Sequence, residues 1–122
     1  MKTLISAMAL ALVITAPSYA QAIDGDWHGT LDVGGVELRL VLHLTPDGKG
    51  GFAASLDSLD QGAKGIRVTD VTVVDSVLKF ELPQIGGSYE GQIDAGATSV
   101  DGTWSQSGNN LPLVWKRQQP IA

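Results

Sequence analysis

The chain has 122 residues, a formal net charge of −5, fifteen glycines and no cysteine. The acidic balance argues against nucleic acid and anionic membrane surfaces as partners. The absence of cysteine excludes disulfides, thiolate metal sites and a lipid-anchored lipoprotein.

Residues 1–20 read as a secretory signal peptide. Met1-Lys2 supplies a positive start, Leu4 to Ala16 is a near-continuous apolar run, and Pro17 breaks it ahead of the small-x-small site Ser18-Tyr19-Ala20. The run is short for a membrane span, so no membrane anchor is expected. Cleavage is expected after Ala20, and Ala20-Gln21-Ala22 offers a second register that would begin the mature chain at Ile23. The expected location is therefore periplasmic or secreted. Residues 21–117 form one domain and residues 118–122 a flexible tail. Without disulfides, such a domain must be held by packing and backbone hydrogen bonds, which favours a sheet with no open edges.

Strands follow at short, regular intervals. The first runs from Asp26 to Val33, with Trp27, Gly29, Leu31 and Val33 on one face. Gly34-Gly35 is a two-residue hairpin turn. The second, Val36 to Leu44, places Leu38, Leu40, Leu42 and Leu44 on one face and Glu37, Arg39, Val41 and His43 on the other, the period of a half-buried strand. Pro46 to Gly50 turns the chain into a third strand, with Phe52, Ala54 and Leu56 inward. A polar connection over Asp57–Gly65 follows, then a fourth strand, about Ile66 to Val74. The turn Asp75-Ser76 leads to a fifth, where Leu78, Phe80 and Leu82 alternate with Lys79 and Glu81. A sixth carries Tyr89, Gly91 and Ile93, and a seventh Val100, Gly102 and Trp104. After a polar loop over Ser107–Asn110, the eighth carries Leu111, Leu113 and Trp115.

Sequential hairpins with one apolar face per strand predict an all-β fold, an eight-stranded antiparallel up-and-down meander closed or partly closed into a lipocalin- or avidin-like barrel. The alternative is a two-sheet β-sandwich. An eight-stranded barrel holds either side chains or one small ligand in its interior. The tryptophans of such barrels usually plug one end of the core; the alternative is that Trp27, Tyr89 and Trp104 line a cavity and grip a small apolar ligand.

Asp57, Ser58, Asp60 and Gln61 form the densest polar group. They read either as a self-bonded connection or as a lip that orients a ligand. Asp57 and Asp60 lack the further oxygen ligands of a calcium loop, so no metal or other cofactor is expected. His28 and His43 fall outside the barrel on the strand phase and read as exposed. Gly-x-Ser-x-Gly is absent, and Ser58 has no histidine at a predictable approach, so serine hydrolase chemistry is not expected.

Six segments carry a resemblance: Gly25-Asp26-Trp27-His28-Gly29, Leu38 to Leu44, Leu56 to Ile66, Tyr89-Glu90-Gly91, Gly102-Thr103-Trp104-Ser105-Gln106 and Leu111-Pro112-Leu113. In these segments and their order the chain resembles the N-terminal β-rich accessory module of secreted α/β-hydrolases and related serine hydrolases, as a stand-alone copy. The resemblance implies an accessory domain whose partner domain performs catalysis, and no catalytic residue carries over. The expected role is a non-enzymatic binding module for a small apolar ligand or a hydrolase partner. The alternatives are an inhibitor of an exported hydrolase or protease, and a small barrel isomerase or cyclase using Asp57, Asp60 or Tyr89.

Overall fold

Period-two alternation gives every strand one apolar and one polar face, and the apolar faces are buried together when the sheet curls until its last strand meets its first. The computed structural model describes residues 23–117. The expected signal peptide, residues 1–20, and the tail, residues 118–122, lie outside them. The strands are β1 (Gly25–Val33), β2 (Val36–Pro46), β3 (Phe52–Ser58), β4 (Ala63–Val74), β5 (Val77–Leu82), β6 (Gly87–Ile93), β7 (Ser99–Gln106) and β8 (Asn109–Arg117). Each pairs antiparallel with the next, and β8 returns to β1 with Trp27 opposite Arg117 and His28 opposite Lys116. The architecture is a closed up-and-down barrel, not a sandwich. This closure covers the edges of β1 and β8 where Trp27 and His28 meet Arg117 and Lys116. Among the described residues, no helix is long and apolar enough to cross a membrane.

The inward positions build one core, in which Leu40, Leu42 and Leu44 of β2 face Leu56, Leu78, Phe80, Leu113 and Trp115 from the other strands. Both ends are stoppered. At one, Ile23 is fully buried and its carbonyl accepts the Trp27 Nε1–H at 2.9 Å. The Arg117 guanidinium lies 4.2 Å over the Trp27 ring and donates to the carbonyls of Ala97 and Asp24. At the other end Trp104 Nε1 donates to Gln106 Oε1, and Gln106 Nε2 donates to the Ile85 carbonyl, each at 3.0 Å.

Two irregularities bend the sheet. In β4 the register slips between Thr69 and Thr72, where Asp70 adopts a positive φ of 54°. This extra residue reverses the strand's phase, so Val68 faces the core before it and Val71 and Val73 after it. The second lies at the β3–β4 connection. The expected nine-residue loop over Asp57–Gly65 is shorter: β3 continues to Ser58, Leu59–Gln61 make one 3-10 turn, and β4 begins at Ala63. Gly65, at φ 68°, sits in the register shift between Leu56 and Ser58. The final hairpin is likewise tighter than expected, with β8 starting at Asn109.

The β6–β7 connection is organised by Asp94, whose carboxylate accepts Thr98 N–H and Thr98 Oγ1–H at 2.7 Å each and Ser99 N–H at 3.1 Å. These bonds, the Thr98 hydroxyl first, hold the carboxyl down to about 2. Asp94→Ala is expected to lower the melting temperature at neutral pH. A depressed folded value makes the contribution full above 3.8 and removes it as pH falls through about 2. The gap between wild type and variant should therefore close over that range in calorimetric scans. An undiminished gap at pH 2 would mean that the charge is not what orders the turn.

Candidate functional site

Two places concentrate polar chemistry, and neither is the barrel interior. Inside, Trp27, Tyr89 and Trp104 are each at most 2% exposed. Tyr89 stacks on Phe80 at 5.3 Å and meets Trp115 edge-on at 6.0 Å. Its hydroxyl donates to the carbonyls of Leu113 at 2.9 Å and Val100 at 3.3 Å. Burial pushes this phenol well above its ordinary range, so it stays a donor. The three residues expected to grip an apolar ligand thus lie in the packed core, with their polar atoms bonded to protein groups. Trp115 Nε1 is the buried indole nitrogen with no partner among the described residues.

The first polar place lies over a pair of glycines. Gly91 of β6 lies directly opposite Gly102 of β7, and the Tyr89 phenol fills the space beneath both. A Cβ on Gly102 would collide with the Glu90 carbonyl oxygen and Gly91 Cα and come within 2.7 Å of Tyr89 Oη. Both glycines also line a groove of about 820 Å³ that runs across the outside of β4–β8. Its charged lining is Asp70, Glu81, Glu90 and Asp101 against Lys79, with Thr103, Ser105 and Asn110 supplying hydroxyl and amide groups. Lys79 Nζ stands 3.9 Å from Glu90 Oε1, both side chains well exposed. An exposed pair at that distance binds weakly and leaves either partner available to a ligand. The groove therefore offers an excess of negative charge.

The second lies on the outside of β1, β2 and β3. The register places His43 opposite Asp26, and β3 brings Asp57 to its other side. His43 Nδ1 is 2.7 Å from Asp26 Oδ1 and Nε2 is 2.8 Å from Asp57 Oδ2. Both ring nitrogens face carboxylates, an arrangement satisfied fully only by the imidazolium. The Asp57 bond first, then Asp26, raises the histidine above its ordinary 6.5 against the opposing effect of burial. The same bond lowers Asp57, aided by the Gly65 N–H that donates to its other oxygen at 2.9 Å.

The polar group of the β3–β4 connection is thereby divided. Asp57 faces His43, while Asp60 faces Arg39, which donates from its backbone N–H at 2.8 Å and from Nη2 at 2.7 Å. Bonding to the guanidinium holds Asp60 at about 2. Ser58 is 2% exposed and donates its hydroxyl to Gln61 Oε1 at 2.7 Å, which satisfies a buried polar group. Ser58 and Gln61 thus brace each other, Asp57 and Asp60 are each tied to β2, and the two carboxylates do not converge on a shared point.

The expectation that His28 and His43 are simply exposed gives way to something more specific. His43 is held between two carboxylates, and His28 has a buried Nε2 with no hydrogen-bond partner among the described residues. In the register His28 sits beside Val41, an outward-phase residue that is only 7% exposed. A signal for the Asp26–His43 pair was present: a two-residue turn at Gly34-Gly35 fixes the register, and counting outward from it puts Asp26 opposite His43. The groove had no such signal, because it depends on curvature. The chain matches no protein-family model and no curated protein.

Proposed function

We propose that the protein is an exported, non-catalytic binding module whose outer groove receives a positively charged, polar segment of a protein partner. The observation that carries this reading is the contrast between the two surfaces. Inside, Phe80, Tyr89 and Trp115 pack on one another and the Trp27, Tyr89 and Trp104 polar atoms are bonded internally, whereas the 820 Å³ outer groove leaves an excess of carboxylates facing solvent. Charge complementarity of this kind steers encounter and selects partners. The bonded Ser58 hydroxyl and doubly engaged His43 ring support the non-catalytic reading. The resemblance to hydrolase-associated modules nominates an exported hydrolase as the partner class.

Isotope-labelled protein titrated at low salt with oligolysine, oligoglutamate and a fatty acid tests this. Oligolysine is expected to shift the amide signals of Lys79, Glu90, Asp101 and Thr103. The response should fade with added salt and vanish in the double variant Glu90→Lys/Asp101→Lys. If the fatty acid instead moves the Trp27, Tyr89 and Trp104 signals while the groove stays silent, the ligand belongs inside the barrel and the proposal falls.

A further inference from the structure

The histidine cluster plays no part in the groove, yet it joins several elements on the outside of the barrel. Asp26 is on β1, His43 on β2 and Asp57 on β3, while the second oxygen of Asp57 holds the Gly65 N–H in the irregular start of β4. Four consecutive strands are thus tied through one imidazole. Between Asp57 and Gly65 lies the Leu59–Gln61 turn, closed by Gly62 N–H donating to the Leu59 carbonyl and tethered to β2 through Asp60 and Arg39. Together these residues form a lip at one end of the barrel.

The surroundings define what protonation would do. Facing His43 directly are Asp26 from β1 and Asp57 from β3, with uncharged Ser55 as its register partner on β3. On its own strand the outward charged neighbour is Arg39, already bonded to Asp60. One strand further out lie Arg67 of β4, opposite Ser55, and Lys64 beside Asp57; on the other side are His28 of β1 and Lys116 of β8. The two nearest groups are both acidic, so an imidazolium bridges them. A neutral imidazole donates only one hydrogen bond and presents a lone pair to the other carboxylate.

We propose that Asp26–His43–Asp57 is a pH-responsive staple that fixes the Leu59–Gly65 lip when His43 is charged and loosens Asp57, and with it Gly65, when His43 is neutral and can donate to only one of its two carboxylates. The sign follows from the two groups. His43 is raised in the folded protein, so its contribution is complete below 6.5 and is lost as pH rises through the raised value. Asp57 is lowered, so its contribution is complete above 3.8 and is lost as pH falls through the lowered value. The staple is tightest between those limits and opens on the alkaline side.

Nuclear magnetic resonance titration of the whole protein between pH 5 and 9 tests the proposal. The His43 ring signal should titrate with a midpoint above 6.5, and the Gly65 amide signal should move with the same midpoint. Hydrogen-exchange protection across Leu59–Gly65, corrected for intrinsic rates, should fall through that midpoint. In Asp57→Asn the His43 midpoint should drop back towards 6.5 and the Gly65 signal should cease to follow it. His43→Gln should abolish the pH dependence of lip protection, which a merely structural role for the ring would leave in place. A wild-type His43 midpoint at or below 6.5 overturns the staple. So does a Gly65 amide that stays still while His43 titrates, and both readings need only the wild-type protein.

Discussion

Gly102→Ala should destabilise the fold by about 3 kcal/mol, the upper end of the usual cost of overpacking. The new methyl group has nowhere to go. It would meet the Glu90 carbonyl oxygen and the Gly91 Cα, both backbone atoms of the neighbouring strand, so no rotamer change relieves it. β6 and β7 would have to part, which would also flatten the groove. The informative control is Gly96→Ala in the β6–β7 turn, where a Cβ meets only Thr98 Cγ2 at an ordinary 3.7 Å. That variant should stay within about 0.5 kcal/mol of wild type. Gly91→Ala is intermediate in kind, because its clash is with the Tyr89 ring. Replacing Tyr89 by Leu should therefore relieve Gly91→Ala but not Gly102→Ala. Chemical denaturation of the set measures all of this, and a Gly102→Ala protein as stable as the Gly96→Ala control would refute the close approach.

Trp27→Ala should cost about 3–5 kcal/mol, the usual range for truncating a buried aromatic side chain. Trp27 is 1% exposed at the end of the barrel where β8 closes on β1. Its removal opens a cavity, leaves the Ile23 carbonyl without its donor, and takes away the ring beneath Arg117. Trp27→Phe separates these effects, since it keeps much of the volume but loses the N–H. It should cost about 1–3 kcal/mol, mostly for the lost hydrogen bond and the smaller face offered to the guanidinium. If phenylalanine proved as damaging as alanine, the indole N–H rather than the packed ring would be what closes the barrel.

The fold was legible in the sequence to a degree the site was not. Period-two alternation marked every strand but the fourth, and the β2 run from Val36 onward placed its leucines inward as observed, Leu38 less deeply than the rest. Closure of the meander was also expected, and β8 meets β1. Even the β4 bulge leaves a trace, because Ile66-x-Val68 and Val71-x-Val73 carry opposite phases. The β3–β4 connection was misjudged for a physical reason. Its Asp, Ser, Gln and Gly composition reads as loop, but Ser58 is drawn into the core by its bond to Gln61, and Gly65 absorbs the register slip. At the site, local chemistry showed which residues were polar but not which would meet. The Arg39–Asp60 pair spans 21 positions and the His43–Asp57 pair 14, and both depend on strand registers that lack a two-residue turn to fix them. The groove was least legible, since its lining comes from five strands, from Asp70 to Asn110, that only the closed sheet brings side by side.

A barrel interior filled by its own side chains, with the outer groove left to meet a partner, has a consequence in the mass of the native protein. Native mass spectrometry of the protein purified from its native source reads that mass, with the same sample measured again after unfolding. The predicted result is the mass of the polypeptide alone, with any associated protein partner released as salt is raised. A small additional mass that survives high salt and leaves only on unfolding would contradict it, because such a molecule would be held within the barrel.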